Sequence, residues 1–525
     1  MEKLQLLPLG VQDFSVLREG NYLYVDKTKI IYDLTHFNRG IFLSRPRRFG
    51  KSLLLSTIKY YFQGKKELFR GLEIENLEKE WAAYPVIYFS LASGEFKKED
   101  GLRNKIEYTL SLFEQEFGVT SSTDAMTLPV RFSNDLREVS KKTGRRVVVL
   151  VDEYDNPLLK NMIVNQEQEE ENRDLYKAFF SVLKDCDEFL HFYMFTGVTK
   201  FSKVSIFSDL NQLNDISLDN EYSTICGISQ EELESSFSAH IDVLAQKNKL
   251  TREETIAELK RMYDGYHFSN EEIDIYNPYS LINAFIKNDF GYYWFESGTP
   301  TFLINKLKAA RYDVRKFSEG AKINETSIRD YRPENADPTP LFYQSGYLTI
   351  KGWNQKQRSF KLSFPNAEVK YGFLNSLAPS YLNIENETTS FDIDVLDDAV
   401  EAGDTDGMKD WFTSLFAILP YPTGSDTESV TEQNFQNVIF MALTIMGKYA
   451  RTEVHSAKGR ADCILETEEY VYLFEFKRDK SAKEALEQIE SQDYAKSYSS
   501  DSRKLFKIGV NFDSKERNIT EWMVR

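Results

Sequence analysis

The chain has 525 residues, a formal net charge of −17, 41% hydrophobic residues and three cysteines. A chain of this length is too long for a single hydrophobic core, and its apolar content excludes a disordered protein, so we expect roughly three or four folded domains. Its acidic charge disfavours indiscriminate binding to nucleic acid. Because the cysteines lie far apart and neither a secretion signal nor an apolar run of about 18 residues occurs, we expect a cytoplasmic protein without disulfides or a membrane span.

A phosphate-binding loop is predicted within residues 40–55, GIFLSRPRRFGKSLLL. Residues 41–43 are an apolar run typical of a buried strand, a turn follows, and Lys51 and Ser52 begin a helical segment. Backbone N–H groups at such a helix start can bind phosphate, the lysine adds a positive charge, and the serine hydroxyl can hold Mg²⁺. The candidate nucleotide contacts are Arg47, Phe49, Gly50, Lys51, Ser52 and, from a later segment, Asp152.

Arg45 departs from the usual loop pattern, G-x-x-x-x-G-K-[ST], whose first glycine falls at this position. Glycine there allows the backbone to approach the phosphates closely, so the arginine weakens the motif when the loop is considered alone. Together with Arg47 and Arg48 it forms a basic cluster. We interpret this cluster as a surface for phosphates or for the acids of a neighbouring domain.

Strands and helices are predicted to alternate after the loop. Residues 85–89 and 189–195 have the apolar composition of strands, and residues 102–117 and 129–142 have the apolar spacing of helices. This alternation predicts an α/β domain over residues 1–228 with a doubly wound parallel sheet. Ligands of such a P-loop NTPase-like sheet bind at the carboxyl ends of the strands.

Two acids after another predicted strand support nucleotide binding. Residues 147–151 are five consecutive β-prone residues, VVVLV, typical of a parallel strand buried on both faces, and Asp152 and Glu153 follow them. P-loop ATPases use an aspartate at this place for Mg²⁺ and a catalytic glutamate to polarise the attacking water. Three polar residues after the next strand either sense the γ-phosphate or are ordinary loop residues, namely Thr196, Thr199 and Lys200.

The middle of the chain is predicted to contain a helical lid region and a winged-helix-like region. Residues 229–300 are strongly charged with helical spacing, and residues 301–385 contain a short helical piece followed by a hairpin within residues 347–362. A winged helix serves DNA or protein contacts equally well. The polar residues 383–394 are the predicted linker to the last domain, residues 386–525.

A second cluster of acids is predicted on a hairpin near the C-terminus. Residues 461–465 and 470–477 are strand candidates, and a turn centred between them places Asp462 opposite Glu475, with Lys477 on the same face. Two carboxylates can bind Mg²⁺ or Mn²⁺ while the lysine orients a water for attack on a phosphodiester. The alternative is an exposed hairpin with solvated ion pairs, but the second strand is apolar on both faces, which predicts buried acids that need a partner such as a metal.

Further candidate residues flank this hairpin. Glu432 begins a helical run and is expected to add a carboxylate to the metal. A helix predicted at residues 482–498 places Gln488 and Tyr494 near one side, where they contact the substrate backbone or, for Tyr494, pack in the core. Residues 504–510 are the last predicted strand.

The chain resembles a known bacterial and archaeal family that joins an AAA-ATPase-like domain to a C-terminal domain of the PD-(D/E)XK nuclease superfamily. The resemblance covers nearly the full length and keeps the order of the family's segments, and Arg45 looks normal for the family. The matching segments are YVDKT (24–28), LSRPRRFGKS (43–52), VDEYDNPL (151–158), FTGVTKFSKVSIFSDLN (195–211), YDGYHF (263–268), YNPYSL (276–281), QSGYLTI (344–350), FPNAEV (364–369), KGRADCIL (458–465) and LFEFK (473–477).

The resemblance implies roles for the residues that match the family's motifs. Lys51 and Ser52 would contact phosphate and Mg²⁺, and Asp152 and Glu153 would be the acidic hydrolysis pair. The implied nuclease signature consists of Asp462, Glu475 and Lys477, with Glu432 in a helix that often supplies an extra acid. Where members carry histidine near the start of that helix, this chain has Gln436.

The leading hypothesis is an ATP-binding protein, an ATPase, that regulates a metal-dependent DNA nuclease domain. A second hypothesis is a nucleotide-controlled regulatory or scaffold protein whose nuclease-like domain binds nucleic acid or a partner without cutting. A third, a kinase-like phosphotransferase that uses the loop alone, leaves the C-terminal acids unexplained. Assembly into a homo-oligomer stays open.

Overall fold

The computed structural model describes two compact units. The first comprises Met1–Gly298 and Gly320–Glu368, and the second comprises Thr299–Glu319 and Val369–Arg525. The finer division into four domains stays a prediction. The described residues are 4–120, 126–162, 165–200, 213–271, 273–296, 303, 307, 317, 320–329, 337–373, 393–418, 439, 449–455, 460–492, 495, 498, 501–516 and 518–525.

The main sheet of the first unit has five parallel strands: β1 (Gly40–Ser44), β2 (Val86–Ser90), β3 (Val147–Asp152), β4 (Leu190–Gly197) and β5 (Asn214–Asp215). Their order across the sheet is β2-β3-β4-β1-β5. Every residue of β3 is buried, as expected for a parallel strand covered on both faces. The predicted α/β fold is therefore confirmed, and β5 was not predicted because two residues are too few to carry a pattern.

The carboxyl ends of three strands bring the predicted site segments to one edge of this sheet. Ser44 pairs with Gly197 in the register of β1 and β4, and Val151 pairs with Phe195 in the register of β3 and β4. The phosphate loop follows β1, and Asp152 is the last residue of β3. Strand β4 lies between them, so its end faces both predicted site segments.

The helices of the first unit include those predicted from apolar spacing. Asn277 accepts hydrogen bonds from the backbone N–H groups of Tyr279 and Ser280, and Pro278 is the first residue of its helix, so this helix begins with a side-chain cap. The described helices are α1 (Phe14–Glu19), α2 (Thr28–Phe37), α3 (Lys51–Phe62), α4 (Ile74–Leu77), α5 (Gly101–Phe117), α6 (Leu128–Thr143), α7 (Asn156–Leu159), α8 (Gln166–Asp185), α9 (Gln230–Ser236), α10 (Ser238–Asn248), α11 (Arg252–Tyr263), α12 (Pro278–Lys287), α13 (Tyr293–Glu296), α14 (Glu325–Arg329) and α15 (Thr339–Ser345).

Two small antiparallel sheets complete the first unit. One pairs β6 (Ile228–Ser229) with β7 (Ile275–Tyr276). The other has the order β8-β10-β9 and consists of β8 (Ala321–Asn324), β9 (Thr349–Asn354) and β10 (Ser359–Ser363). The predicted hairpin and the helix before it, α15, are confirmed, whereas β8 was not predicted. Its identification as a winged helix stays a prediction.

The second unit contains a five-stranded mixed sheet in which only β13 and β14 are parallel. Its elements are α16 (Ile393–Ala402), α17 (Thr405–Ile418), β11 (Tyr449–His455), β12 (Arg460–Glu466), β13 (Tyr470–Arg478), α18 (Ala482–Ser491), β14 (Lys504–Asp513) and β15 (Asn518–Val524). Strands β12, β13 and β14 confirm the predictions. The edge strands β11 and β15 were not predicted because their sequences, YARTEVH and NITEWMV, contain no continuous apolar run.

A core under this sheet fixes the hairpin β12–β13. Leu486 and Ile489 of α18 pack against Ile464, Val471 and Leu473 of the hairpin. These residues are at most 3% exposed, so the central strand is apolar on the face that α18 covers. The burial of β13 that the sequence predicted is confirmed.

Several predictions fall on residues outside the described part of the chain. They are Glu432, Gln436, Tyr494, most of the linker and most of the helical run at 432–448. The three cysteines are free and buried. Among the described residues, no helix combines the length and apolar character that a membrane span needs.

Candidate functional sites

The phosphate loop joins β1 to α3 in a left-handed turn. Gly50 caps α3 at φ +93°, a conformation that L side chains rarely adopt, and a Cβ added there would meet no atom within 4 Å. Backbone conformation rather than crowding therefore requires glycine at this position. Arg48 also has a positive φ, 69°. The loop thus turns sharply before the first free N–H groups of α3.

Lys51 lies beneath the loop with its ammonium group buried. Its side chain is bonded to the loop itself, because Nζ donates to the carbonyl oxygens of Arg45 and Pro46, both at 2.9 Å. Burial lowers the pKa of Lys51, while the negative charges of Glu153 and Asp155 oppose that shift. The lysine and the acids after β3 therefore interact electrostatically.

Asp152 is buried at the end of β3 and both of its carboxylate oxygens accept hydrogen bonds. Oδ1 accepts from the Thr196 hydroxyl at 2.7 Å, and Oδ2 accepts from the Tyr88 hydroxyl at 3.1 Å. Glu153 follows with φ 53°, an uncommon value for a residue other than glycine. Such a backbone persists only where its surroundings impose it, and it frequently occurs at functional sites.

Asp155 holds the turn after β4 in place. Its Oδ2 accepts hydrogen bonds from the backbone N–H groups of Val198, at 3.0 Å, and Thr199, at 2.6 Å. The Tyr154 hydroxyl donates to the Thr199 carbonyl at 2.9 Å. Burial raises the pKa of Asp155 to about 6. Sequence reasoning missed this role, although Asp155 lies in the quoted segment VDEYDNPL.

The polar residues after β4 have different environments. Lys200 forms a buried ion pair with Asp215, and its backbone N–H donates to Gln344 Oε1 at 3.0 Å. Thr199 is 1% exposed, and its hydroxyl has no hydrogen-bond partner among the described residues. Lys200 is therefore committed to the protein interior, whereas the Thr199 hydroxyl is suited to a ligand.

Two loop residues differ from the simplest expectation of a phosphate contact. Arg45 is 1% exposed and its guanidinium points into the protein interior, so its assignment to a basic surface cluster is wrong. Phe49 is fully buried, with ring centroids 4.8 Å from Tyr266 and 5.4 Å from Phe268. Phe49 can therefore reach a nucleotide through its backbone only.

Arg47 and Arg48 are tied to helices of the same unit. The Arg47 carbonyl accepts a hydrogen bond from Trp294 Nε1 at 3.0 Å. The Arg48 guanidinium lies 5.0 Å from the ring centroid of Tyr279. Both helical contacts come from residues beyond position 276, so the loop is anchored by the helical region as well as by the sheet.

An apolar cavity of about 100 Å³ lies beside the loop. Gly50 and Leu54 line one part of it, and Tyr24, Ile228 and Phe237 line other parts. Tyr24 belongs to the segment YVDKT that the sequence comparison singled out. Its apolar lining next to a predicted phosphate site has the character of a small-ligand pocket.

The C-terminal hairpin brings two acids and a lysine together as predicted. Cys463 pairs with Phe474 in the register of β12 and β13, and the next position in that register sets Asp462 opposite Glu475. Asp462 Oδ2 accepts the backbone N–H of Phe476 at 2.8 Å. Lys477 Nζ lies 2.9 Å from Glu475 Oε1.

Glu475 is a buried carboxylate with an unsatisfied oxygen. The residue is 1% exposed, and Oε2 has no hydrogen-bond partner among the described residues. Burial raises the pKa of Glu475, the charge of Asp462 adds to this rise and Lys477 opposes it, and the pKa lies at about 7. The alternative interpretation, an exposed hairpin with solvated ion pairs, is therefore wrong. A divalent cation would satisfy such an oxygen, because Mg²⁺ and Mn²⁺ prefer carboxylate ligands.

The described residues offer two carboxylates to such a cation. No group of three His, Cys, Asp or Glu side chains able to hold a metal ion occurs within the described ranges. Glu432, the predicted third acid, lies outside them. Gln488 is half-buried on α18. Asp462 and Glu475 thus fit two ligands of a divalent metal, and their pairing is the part of the site that the structure describes.

Comparison with known proteins identifies both segments. A family model described as Predicted AAA-ATPase matches residues 8–207, and one described as PD-(D/E)XK nuclease superfamily matches residues 430–522. A relative from Azotobacter chroococcum mcd 1, described as an uncharacterized protein in vnfD 5'region, is 34% identical over 526 residues, which cover 99% of this chain and 98% of the relative. The first match contains the phosphate loop and the acids after β3, and the second contains the acidic hairpin.

Proposed function

Because the chain belongs to the family that joins an AAA-ATPase-like domain to a PD-(D/E)XK nuclease superfamily domain, we propose that it is an ATPase whose nucleotide state regulates metal-dependent cleavage of DNA. The observation that carries this proposal is that each of the two units has a lysine near a buried carboxylate. Lys51 with Asp152 suits nucleotide binding, and Lys477 with Glu475 suits phosphodiester cleavage.

In the ATP-binding half, the loop supplies donors and the strand ends supply acids. Residues 47–52 offer backbone N–H groups to the phosphates at the start of α3. Lys51 would exchange its loop carbonyls for the β- and γ-phosphates. Ser52 and Asp152 would hold Mg²⁺, which when bound neutralises charge on the phosphates. Glu153 would orient the attacking water and accept its proton.

The apolar cavity beside Gly50 supports a nucleotide rather than a simple phosphate as the ligand. A nucleobase is a flat, largely apolar group, and aromatic residues such as Tyr24 offer faces against which it can stack. The Thr199 hydroxyl, which has no partner in the part of the chain that the structure describes, is a candidate donor to the γ-phosphate. Together these features favour a nucleoside triphosphate.

In the nuclease half, Asp462 and Glu475 would hold Mg²⁺ or Mn²⁺. The bound metal would polarise the phosphodiester and lower the pKa of a water. The Lys477 ammonium, beside Glu475, would orient that water toward the phosphorus and stabilise the developing negative charge. Asp462 is held by the Phe476 N–H, so the hairpin backbone fixes the direction of one ligand.

To test this proposal, the purified full chain is incubated with linear DNA and Mn²⁺, with and without ATP. Cleavage of the DNA is followed on gels. We expect cleavage that depends on Mn²⁺ and that changes in rate with ATP. The variant Lys477→Ala should remove cleavage, and Lys51→Ala should remove the ATP response while leaving cleavage itself intact.

The outcomes separate the hypotheses. If the chain binds DNA but does not cleave it under any condition, the nuclease hypothesis fails and the non-cutting regulatory role is favoured instead. Cleavage that ignores ATP, in a chain that hydrolyses ATP, would contradict the regulatory link alone. Self-association, the winged-helix interpretation of residues 301–385 and cytoplasmic location stay predictions.

A further inference from the structure

We propose that Arg45 is a positioning residue that fixes the phosphate loop in its nucleotide-binding geometry, so that the arginine is required where the usual loop has glycine. The inference rests on the nucleotide binding proposed above. In this chain the Arg45 side chain would act as an internal clamp on the loop. It would hold the loop in the shape that the flexible backbone of glycine allows in the usual motif.

The guanidinium of Arg45 reaches three backbone carbonyls. Nη1 donates to Ser44 at 2.9 Å and to Ser217 at 2.8 Å, and Nη2 donates to Tyr222 at 3.0 Å. Ser44 ends β1, while Ser217 and Tyr222 follow β5. One side chain therefore ties the start of the loop to the segment beyond the edge of the sheet.

An aromatic ring covers the same guanidinium. The Arg45 Cζ atom lies 4.3 Å from the ring centroid of Phe268, which belongs to the segment YDGYHF. Phe268 also packs against Phe49 at the far end of the loop. Both ends of the loop, Arg45 and Phe49, are thus held against one residue. The segment YDGYHF, which the proposed chemistry does not use, acquires a role as the surface on which the loop is seated.

The backbone of Arg45 is engaged as well. Its N–H donates to the Gly197 carbonyl at 3.2 Å, at the end of β4, and its own carbonyl accepts from Lys51 Nζ. The position of the Arg45 carbonyl therefore determines where the Lys51 ammonium rests. Displacing Arg45 would displace the group that is proposed to meet the phosphates.

Arginine suits this place better than either lysine or glycine. A planar guanidinium can donate to several acceptors while one face stacks on an aromatic ring, whereas an ammonium is a compact point charge. Glycine would remove the guanidinium donor of the Ser217 carbonyl, would leave the Tyr222 carbonyl with only the longer bond from the Ile225 N–H at 3.3 Å, and would open a cavity against Phe268. Buried carbonyls that lose their donors are costly, so the segments would rearrange.

The inference predicts that repairing the motif breaks the site. Arg45→Gly restores the usual G-x-x-x-x-G-K-S pattern, yet we expect its affinity for mant-ATP with Mg²⁺ to fall about 100-fold. Arg45→Lys retains the charge and should recover part of that loss, ending about 10-fold weaker than the wild type. Phe268→Leu removes the ring but keeps every hydrogen bond of the arginine, so we expect its affinity for mant-ATP to be about 3-fold weaker than that of the wild type.

The control is Arg358→Gly, an arginine at φ 44° whose side chain is 72% exposed. Its affinity for mant-ATP should equal that of the wild type. Thermal unfolding of each nucleotide-free chain shows which variants are folded, and the affinities of folded variants are compared.

The results distinguish the inference from the function on which it rests. A wild-type chain that does not bind mant-ATP overturns nucleotide binding and the inference together. A wild-type chain that binds, with Arg45→Gly binding equally well, overturns the inference and leaves nucleotide binding intact. If Arg45→Gly does not fold, wild-type affinity in both Arg45→Lys and Phe268→Leu overturns it instead.

Discussion

The phosphate loop and the C-terminal hairpin hold their buried charges in opposite ways. At the loop, Lys51 is bonded to two carbonyls of its own loop, and both oxygens of Asp152 are bonded to hydroxyl groups. At the hairpin, one oxygen of Glu475 has no partner among the described residues, although the side chain is 1% exposed. Among the described residues, the charged groups Lys51 and Asp152 of the first site are satisfied without a ligand, whereas Glu475 of the second site is not.

This difference determines what each ligand must do. A nucleotide at the loop has to replace existing hydrogen bonds, so its binding is coupled to a rearrangement of the loop. A cation at the hairpin instead relieves an unfavourable burial, because a buried carboxylate oxygen without a hydrogen-bond partner is costly even when Lys477 pairs with the other oxygen. The loop is thus suited to switching, and the hairpin is suited to holding a metal continuously.

The largest expected effect is at the hairpin. Glu475→Gln keeps the shape of the side chain but removes the charge that a divalent cation needs, so Mn²⁺-dependent DNA cleavage should fall about 10³-fold. Gel-based cleavage rates provide the measurement. The control Glu487→Gln changes an exposed glutamate on α18 of the same unit and should cleave normally. Equal cleavage by Glu475→Gln and the wild type would remove Glu475 from the metal site.

A smaller effect is expected at the loop. Lys51→Ala should weaken the affinity for ATP by about 10–100-fold, because one charge-assisted contact to the phosphates is lost. Equilibrium titration with mant-ATP measures the change, and Lys65→Ala, an exposed lysine after α3, is the matched control. If Lys51→Ala binds as tightly as Lys65→Ala does, the ammonium does not meet the phosphates and the switching interpretation of the loop fails.

A still smaller effect is expected on the pH dependence of stability, to which Glu475 of the hairpin contributes. The pKa of Glu475 rises from 4.5 to about 7 on folding, so the folded state binds this proton more tightly than the unfolded state does. The resulting stabilisation is fully present below pH 4.5 and is lost as pH rises through 7. Without metal, Glu475→Gln should therefore be more stable than the wild type by about 2–3 kcal/mol at pH 8.

Thermal unfolding of metal-free protein at pH 5 and pH 8 measures this difference. Near pH 5 wild type and variant should nearly coincide, and Mn²⁺ should raise the midpoint of the wild type alone at pH 8, because the cation replaces the proton. Identical pH profiles for the two chains would show that Glu475 is not the group that titrates.

How much of each site the sequence could predict also differs. The hairpin was predictable in detail, because alternation along β12 and β13 sets the register that faces Asp462 with Glu475. The loop was predictable as an element but not in its contacts. The direction of the Arg45 side chain depends on carbonyls of Ser217 and Tyr222, more than 170 residues away, and no local pattern carries that information.

The same distinction explains the elements that were missed. Apolar runs identified the buried strand β3, whereas the edge strands β11 and β15 carry mixed sequences that resemble loops. Asp155 was overlooked for a related reason. Its role is to accept the N–H groups of Val198 and Thr199, and those groups come within reach only because β3 and β4 are neighbours in the sheet.

The last prediction concerns the rearrangement that the loop requires and the hairpin does not. Trp294 Nε1 donates to the Arg47 carbonyl, and its backbone N–H donates to the buried Glu368 carboxylate at 2.7 Å. The backbone of Trp294 is therefore held in place while its indole contacts the loop. If ATP binding moves the loop, this hydrogen bond changes and the emission of Trp294 changes with it.

Tryptophan fluorescence during ATP titration should show a signal that Trp294→Phe abolishes. Trp81→Phe, which alters a tryptophan packed against Tyr61 and Phe69, should retain it. A response that survives in Trp294→Phe would mean that the loop admits the nucleotide without moving at Arg47, and the contrast between a switching loop and a static hairpin would no longer hold.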